Sequence, residues 1–531
     1  MLDKLPTEIL SIILSYVRIG TVTGHKDLKQ VCEVCTRLRD CAIPRLYRCL
    51  VFNDPEAILK ELAAAVNSIP RRYASHIRDL ELRVPIHHRT CYHEIHDDAF
   101  EPEDSLSDYS ESMEHELERD IGDGIEVKYA DGGFVDDQLQ SFRWNLGMCI
   151  PNMILSSNEF SLLRKQKKVK SLILHTDVYC NKDVGSVDLA QFQDLRSLCW
   201  KGLNKYRDFE SIKDCIKAHG HQLLSLTLDL DNWDRAKGLW TDEFRRQSDE
   251  EMPDNFFVHR IMNAKVGNER TIMQSLEYLD LSAISFEHAD VEMPFLFGTE
   301  SLKTLKLRKC KGSLKWLELV SSYGKLTELK YFELVLTNSG PITTTKAICN
   351  FIHRAPKLQT LCLMVCKPIS WETLISTVRR CGSLTRLVMH SLADERVPIL
   401  GGEEHKGNQL QGLQTRPSCK LLHIRATGTA MVNMHFLSYC DPLYHPFGIN
   451  KFAEWAFSAD GLPDLTVLAW GDFSHEGHFS QYNRLYCRSK TGYRRLNASD
   501  ISLWDLVNDN MDLLAACPYT DTNDLTSYDF M

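Results

Sequence analysis

Leucines recur along this chain with the spacing L-x-x-L-x-L, which predicts short β-strands whose alternate residues face one apolar interior. Segment 358–389 shows one complete unit, in which such a strand is followed by a helix with apolar residues at i, i+4 and i+7. The strand spacing recurs at Ile77/Leu80/Leu82, Val169/Leu172/Leu174, Leu195/Leu198/Trp200, Leu223/Leu226/Leu228, Leu276/Leu279/Leu281, Leu302/Leu305/Leu307, Leu329/Phe332/Leu334, Leu358/Leu361/Leu363, Leu384/Leu387/Met389, Cys419/Leu422/Ile424 and Leu465/Leu468/Trp470. Between residues 276 and 384 successive strands begin 26, 27, 29 and 26 residues apart. This period predicts repeats that stack side by side, because one unit alone cannot bury its apolar face.

The first 52 residues carry helical spacing instead of strand spacing. A first helix is predicted to start near Pro6, and a second helical stretch, with Asp27 as its N-cap, to run to Pro44. The apolar residues of the first helix form two rows, Ile9/Ile13/Tyr16 and Leu10/Leu14/Val17. A domain of about 50 residues buries only about 60% of its unfolded surface, so we expect the excess apolar surface to meet a partner.

Two stretches interrupt the repeats. Segment 94–137 holds 17 acidic and two basic residues, and it predicts a disordered insertion, because so few apolar residues cannot offset the entropy lost on ordering. Either it is a solvated spacer, or its serines are sites for an acidophilic kinase. Segment 231–270 separates two predicted strands and holds either a degenerate repeat or an insertion, since it is too aromatic for a plain linker.

The resulting prediction is an α/β protein in which a small helical head precedes a stack of repeats. Its segments are the helical head, 1–52; a linking helix, 53–76; the first repeat, 77–93; the acidic insertion, 94–137; the remaining repeats, 138–473, with an insertion near 231–270; and a C-terminal capping segment, 474–531. In the capping segment, a helix from about Ser499 is expected to cover the open end of the stack.

Composition narrows the class of protein. With 531 residues, 43% of them hydrophobic, the chain is typical of a globular protein with more than one domain. Once segment 94–137 is set aside from the 72 acidic and 62 basic residues, 55 and 60 remain without a basic stripe, so no nucleic-acid partner is expected. The longest apolar run, 9–17, is shorter than the ~20 residues that a bilayer requires, so no membrane partner is expected. The 18 cysteines lie singly, which favours a reducing compartment, the cytoplasm or the nucleus.

Motifs for metal binding and catalysis are sparse. Cys32-x-x-Cys35 has zinc spacing, but it lies on a helix whose other positions are apolar, which favours packing. A zinc site in the histidine-rich segment 87–96 is an alternative, whereas His475 and His478 lack the spacing that places two histidines on one helical face. The sequence carries neither a phosphate-binding glycine loop nor a G-x-S-x-G elbow. No metal, cofactor or catalytic residue is expected.

Recognition is the function that the repeat pattern favours. Along each strand, the residues between and after the leucines point away from the apolar interior, and they include tyrosines and arginines, which are enriched in binding hot spots. The residues predicted to bind a protein substrate are Tyr278, Asp280, Lys306, Arg308, Tyr331, Glu333, Arg386 and His390. The alternative is a solvated sheet face.

Three motifs in the head follow the pattern of one known family. They are Leu5-Pro6-x-Glu8-Ile9-Leu10-x-x-Ile13-Leu14, Asp27-Leu28-x-x-Val31-Cys32 and Pro44-x-Leu46-Tyr47-Arg48. They resemble an F-box, which implies docking onto the Skp-type adaptor, and through it onto the cullin, of a Skp/cullin/F-box ubiquitin ligase. The adaptor-binding residues that the resemblance implies are Leu5, Pro6, Ile9, Leu10, Ile13, Leu14, Leu28, Val31 and Cys32. The alternative is a helical cap that shields the first repeat.

The repeats also resemble a known class. Cys310 and Cys366 stand at the Asn/Cys position of the cysteine-containing leucine-rich repeats often found behind F-boxes, and the whole layout resembles F-box proteins of filamentous fungi. The resemblance implies a horseshoe-shaped solenoid, with parallel strands on the concave face and helices on the convex face. It also implies a non-catalytic substrate receptor for a target protein that the sequence leaves unidentified. A leucine-rich-repeat scaffold or inhibitor outside a ligase, and a zinc-dependent enzyme, are the alternatives.

Overall fold

The structure, a computed structural model, divides the chain into two compact units, residues 1–252 and 253–524. The described residues are 5–17, 22–53, 71–84, 136–150, 152–155, 162–178, 187–203, 206–230, 233–248, 255–263, 271–287, 296–336, 343–366, 369–392, 418–425, 447–471, 473–474, 483–490, 492–497 and 499–518. The predicted linking helix between 54 and 70, the acidic insertion up to 135, the histidine-rich segment and His475/His478 lie outside them.

Three helices form the head: α1 Thr7–Ser15, α2 Val22–Val34 and α3 Thr36–Leu46. Asp27 lies inside α2 and is not its N-cap, which corrects the predicted start of that helix. The stretch predicted to run unbroken to Pro44 is divided at Cys35, whose backbone is extended. The Cys35 thiol accepts a hydrogen bond from the Leu38 N–H at 3.5 Å and so caps α3. Leu14, Leu28, Ala42 and Leu46 form one buried cluster of the head, and Leu10 and Leu38 are buried as well.

Within its described residues, the first unit also holds six parallel strands, each paired with the next along the chain. They are β1 Cys49–Phe52, β2 Asp79–Arg83, β3 Ser141–Asn145, β4 Ser171–His175, β5 Ser197–Lys201 and β6 Ser225–Asp229. The further helices of this unit are α4 Arg71–Ala74, α5 Asn152–Leu155, α6 Tyr206–His219 and α7 Trp233–Ser248, with 3-10 turns at Leu162–Lys165 and Gly220–Gln222. Because the strands pair in register, their inward residues align in rows, which are Leu80/Phe142/Leu172/Leu198/Leu226 and Leu82/Trp144/Leu174/Trp200/Leu228.

Leucine spacing did not predict two strands of this unit. In β3 the spacing is present, but with aromatic residues, as Leu139, Phe142 and Trp144. Strand β1 follows the head directly, and its inward residues are Leu50 and Phe52. Phe142 and Trp144 are fully buried, so the position requires a large apolar side chain and not leucine in particular.

Segment 231–270 spans the boundary between the units. Helix α7 occupies its first half, and a π-helical turn, Phe257–Ile261, belongs to the second unit. The aromatic residues of the segment are buried: Trp233, Trp240, Phe244, Phe256 and Phe257. The assignment of this segment to a degenerate repeat or to an insertion stays a prediction.

In the part of the second unit that the structure describes there are nine strands, the first seven of them parallel and each paired with the next. They are β7 Tyr278–Ser282, β8 Thr304–Arg308, β9 Tyr331–Leu336, β10 Thr360–Cys366, β11 Arg386–Leu392, β12 Leu421–Arg425, β13 Val467–Trp470, β14 Arg484–Ser489 and β15 Gly492–Leu496. The helices are α8 Ser313–Tyr323, α9 Thr344–His353, α10 Trp371–Arg380, α11 Phe447–Phe457, α12 Ile501–Asp509 and α13 Met511–Leu514. All seven strands that the leucine spacing predicted here are present. None of the helices in the described residues is long and apolar enough to cross a bilayer.

Strands β14 and β15 form an antiparallel hairpin that the sequence analysis missed. Strand β14 pairs with β13, so the hairpin covers the edge of the parallel strands. Gly492, with φ of +128°, stands at the turn, and β14 carries the consecutive hydrophobic residues Leu485, Tyr486 and Cys487. These are the usual signals of a hairpin.

Candidate functional site

One face of α1 in the head is apolar and exposed. It carries Ile9, Ile12 and Ile13, and it ends at Tyr16, which is 82% exposed. Residues three and four apart lie on the same side of a helix, so the four side chains form one patch. Val34, at the end of α2, is also exposed. Exposed apolar patches on small domains mark protein-binding sites.

The structure divides the predicted adaptor-binding residues into two groups. Leu10, Leu14 and Leu28 are buried, and Val31 and Cys32 are half-buried against the core of the head. The prediction that these three leucines contact the adaptor is therefore corrected. They pack inside the head and stabilise it, so they offer no surface to a partner. The predicted residues that remain available are Leu5, Pro6, Ile9 and Ile13.

Sequence analysis missed part of the exposed patch. Ile12 lies three residues after Ile9, and this helical spacing could have identified it. The start of the patch is held in place by a hydrogen bond from the Arg37 guanidinium to the Leu5 carbonyl oxygen, at 2.7 Å. The segment before α1 is thereby tied to α3.

The two cysteines with zinc spacing have structural roles. Cys32 packs against the core, and burial raises the pKa of its thiol. Cys35 caps α3. Within the described residues, no group of three or more histidine, cysteine or acidic side chains is arranged to hold a metal ion.

Residues 2–53 match the family model described as F-box-like. The head is an F-box-like domain. The match covers the three helices and β1, about a tenth of the chain, and a search among curated proteins found no match. F-box domains typically bind Skp-type adaptors, so the exposed face of α1 is the candidate adaptor-binding surface of the F-box-like head.

The residues predicted to bind a substrate lie on one face of the second unit's sheet, and those on β7, β8 and β9 contact each other. Arg308 bridges two carboxylates, with its Nε 2.6 Å from Glu333 Oε1 and its Nη1 3.2 Å from Asp280 Oδ1. The hydroxyl of Tyr278 donates a hydrogen bond to Asp280 at 3.2 Å. Arg308 is thus held in a fixed position by groups of the protein itself.

Lys306 lies between two aromatic rings on this face. Its Nζ is 5.5 Å from the ring centroid of Tyr278 and 5.0 Å from that of Tyr331, both within cation–π distance. The Tyr331 hydroxyl lies 3.1 Å from Glu333 Oε2. Two cations and two carboxylates, Lys306, Arg308, Asp280 and Glu333, therefore form one compact cluster.

The pKa values follow from burial and from these neighbours. Burial alone would raise the pKa of Glu333, but Arg308 and Lys306 outweigh it and hold that pKa at about 2. Burial would lower the pKa of Lys306, but Glu333 and Asp280 raise it. Burial, followed by the charge of Asp280, raises the pKa of Tyr278 to about 12. Glu333 and Lys306 are therefore both charged near neutral pH.

The C-terminal segment covers this face. The backbone N–H of Cys517 donates to Glu333 Oε1 at 2.8 Å, and the Asp512 carbonyl oxygen lies 3.2 Å from the Tyr331 hydroxyl. Apolar residues of the face and of the segment form one cluster, and its members are Tyr331, Val335, Cys362, Met364, Val388, Leu421, Val467, Ala469, Phe473, Leu485, Leu496, Val507, Leu513, Leu514, Ala516 and Cys517. We call residues 499–518 the C-terminal cover.

Two further contacts hold the C-terminal cover beside β11 and β12. A guanidinium nitrogen of Arg386 lies 3.5 Å from the Asp512 carboxylate. In His423, Nδ1 lies 3.3 Å from the Leu513 carbonyl oxygen and Nε2 lies 2.8 Å from that of Gly471. The ring of His423 also packs against the buried ring of His390, at 4.9 Å between centroids.

Two predictions about the second unit are therefore corrected. The prediction of an open substrate-binding surface is wrong for four residues, which are buried: Asp280, Tyr331, Glu333 and His390. Glu333 is buried completely. Among the predicted set, Tyr278, Lys306, Arg308 and Arg386 keep partial exposure. The last helix was predicted to cover the open end of the stack, whereas the C-terminal cover lies on the sheet face, because that face supplies the apolar residues it packs against.

Proposed function

We propose that the protein is a non-catalytic substrate receptor of a Skp/cullin/F-box ubiquitin ligase. The observation that carries the proposal is the F-box-like head with an exposed apolar face on α1. A Skp-type adaptor would cover that face, and through the adaptor the chain would be joined to a cullin. The remainder of the chain would select the target protein.

We further propose that both units are built of leucine-rich repeats arranged as a horseshoe. Parallel strands with two inward apolar residues each, paired in register, support this proposal. So does Cys310, a buried residue whose Sγ lies 3.2 Å from the Leu281 carbonyl oxygen of the preceding strand. Through this contact, Cys310 joins the turn after β8 to the neighbouring strand β7.

The cytoplasm or the nucleus is the compartment that we propose. Cysteines throughout the described part of the chain, such as Cys149, Cys215 and Cys419, are free thiols, which suits a reducing environment.

Co-purification tests the proposed function. The tagged full chain is expressed in eukaryotic cells, and the retained proteins are identified by mass spectrometry. Recovery of both a Skp-type adaptor and a cullin in stoichiometric amounts is the expected result. Recovery of a monomer without adaptor would contradict the ligase assignment and would favour the alternative, a scaffold or inhibitor that acts by binding alone.

A further inference from the structure

The face of the first unit's sheet differs from the covered face of the second unit. On β2 to β6, the residues that alternate with the buried leucines point to the opposite side, and most are half-exposed. In register, these residues form three rows: Asp79/Ser141/Ser171/Ser197/Ser225, Glu81/Arg143/Ile173/Cys199/Thr227 and Arg83/Asn145/His175/Lys201/Asp229. We call this surface the serine-row face.

At one end of the serine-row face, arginine side chains are more exposed to solvent than the carboxylates with which they pair. The Glu81 carboxylate lies 3.8 Å from Arg83 and 3.6 Å from Arg143. The side chain of Glu81 is 13% exposed, whereas those of Arg83 and Arg143 are 44% and 48% exposed. Similarly, Arg48 pairs with the less exposed Asp79 at 3.0 Å. The carboxylates lie beneath and the guanidinium groups face solvent, so an approaching molecule meets positive charge first.

The two arginines on β2 and β3 have donors to offer. Arg83 donates from its Nε to the Asn53 side chain at 2.6 Å. Arg143 has no hydrogen-bond acceptor within 3.5 Å among the described residues and is only ion-paired with Glu81. A guanidinium group carries five N–H donors, so both arginines keep donors for a ligand.

We propose that the serine-row face binds an acidic peptide segment of a partner protein, with its Asp or Glu carboxylates on Arg83 and Arg143. The planar guanidinium matches a carboxylate with two parallel hydrogen bonds. Ser171, Ser197 and Ser225 are half-buried residues at the same register position of neighbouring strands, which lie about 4.8 Å apart, so their hydroxyls can bond the peptide backbone.

A nucleic acid fits this face less well than an acidic peptide. The fifteen residues of the three rows include no Phe, Tyr or Trp, and His175 is their one aromatic ring, so the face lacks a run of rings on which successive bases could stack. A continuous row of phosphates would have to pass over the carboxylates of Asp79, Glu81 and Asp229, whereas a peptide can place single carboxylates on Arg83 and Arg143. The inference rests on the proposed function only in naming the peptide as part of a ubiquitination substrate.

Fluorescence polarisation with the full chain tests the proposal without any adaptor. A failure of peptide binding is therefore distinguishable from a failure of adaptor binding. The probe is a fluorescein-labelled peptide of four Glu-Gly repeats, with Lys-Gly, phosphoserine-Gly and oligo-dT probes for comparison. Arg83→Gln with Arg143→Gln should weaken binding of the Glu-Gly probe at least tenfold. The matched control, Arg379→Gln with Arg380→Gln, removes two exposed arginines of α10 and should change it less than twofold.

A second variant keeps the test decisive if the double substitution impairs folding. Glu81→Gln removes the carboxylate that competes for both guanidinium groups, so it should tighten binding of the Glu-Gly probe severalfold. Equal loss in both double variants, no tightening in Glu81→Gln, or no binding of the probe at millimolar protein would overturn the proposal. So would tighter binding of the phosphoserine or oligo-dT probe, which would assign the face to another class of partner.

Discussion

Cys517 donates its backbone N–H to the carboxylate of Glu333 at 2.8 Å, although 184 residues separate them. Glu333 is fully buried and also pairs with Arg308, so one carboxylate joins the charged cluster of the sheet to the C-terminal cover. The cover is therefore part of the core of the second unit. Loss of its packing should destabilise that unit and expose its thiols.

Leu514→Ala tests the packing of the C-terminal cover. The side chain is fully buried, so its truncation should cost about 2–5 kcal/mol in the free energy of unfolding. The buried Cys517 thiol should also be alkylated faster, which peptide mass spectrometry measures. Met511→Ala is the matched control, since Met511 in the same helix is exposed, and it should cost at most about 1 kcal/mol. Equal effects of the two substitutions would show that the cover is not packed as described.

Acid should weaken the second unit through Glu333. Its pKa of about 2 in the folded protein lies below the ordinary value of 4.5, so the charged form contributes stability above the ordinary pKa. That contribution is lost as pH falls from about 5 towards 2. At pH 3 the loss already amounts to about 2 kcal/mol. Urea denaturation between pH 7 and pH 3 should therefore show a shallower pH dependence in Glu333→Gln than in the wild type.

Glu328→Gln is the control for that titration. Glu328 is an exposed carboxylate paired with Lys357 at 2.6 Å, and solvent screens such pairs. Its pH dependence of stability should match that of the wild type. A Glu333→Gln curve parallel to the wild-type curve would mean that Glu333 is not ionised in the folded protein.

Gly202→Ala tests the close contact between neighbouring turns of the first unit. Gly202 has φ of +80°, and an added Cβ would lie 1.8 Å from the Thr176 carbonyl oxygen, so a loss of at least about 2 kcal/mol is expected. Gly238→Ala makes the same chemical change inside α7, where nothing lies within 4 Å of the added Cβ. It should stabilise the protein by about 0.5–1 kcal/mol. Thermal melts with the same sign for both variants would contradict the described turn.

The strands could be predicted where leucine occupies the inward positions. Strand β10 is one such case, whereas β3 was missed because Phe142 and Trp144 replace two leucines. The existence of α12 also followed from its apolar spacing. Its docking surface did not, because the contacts that decide it, such as Cys517 with Glu333, join residues far apart in the sequence.

The head shows the same limit at a smaller scale. Helical spacing separates two apolar rows on α1, but it does not say which row packs inside. The answer depends on α2 and α3, whose Leu28 and Ala42 cover Leu14 and leave Ile9 and Ile13 exposed. Half of the predicted adaptor surface could therefore be assigned only from the packing of the three helices.

The central claim is that the exposed face of α1 binds a Skp-type adaptor, and calorimetric titration of the full chain with purified adaptor tests it most directly. A buried aliphatic side chain contributes about 1.5–3 kcal/mol, and a charge in its place adds a desolvation cost, so Ile13→Asp should weaken binding at least about a hundredfold. Ile501→Asp, the same change at an 80% exposed position of α12, should leave the affinity within about twofold and both circular dichroism spectra unchanged. Wild-type affinity in Ile13→Asp would contradict the account.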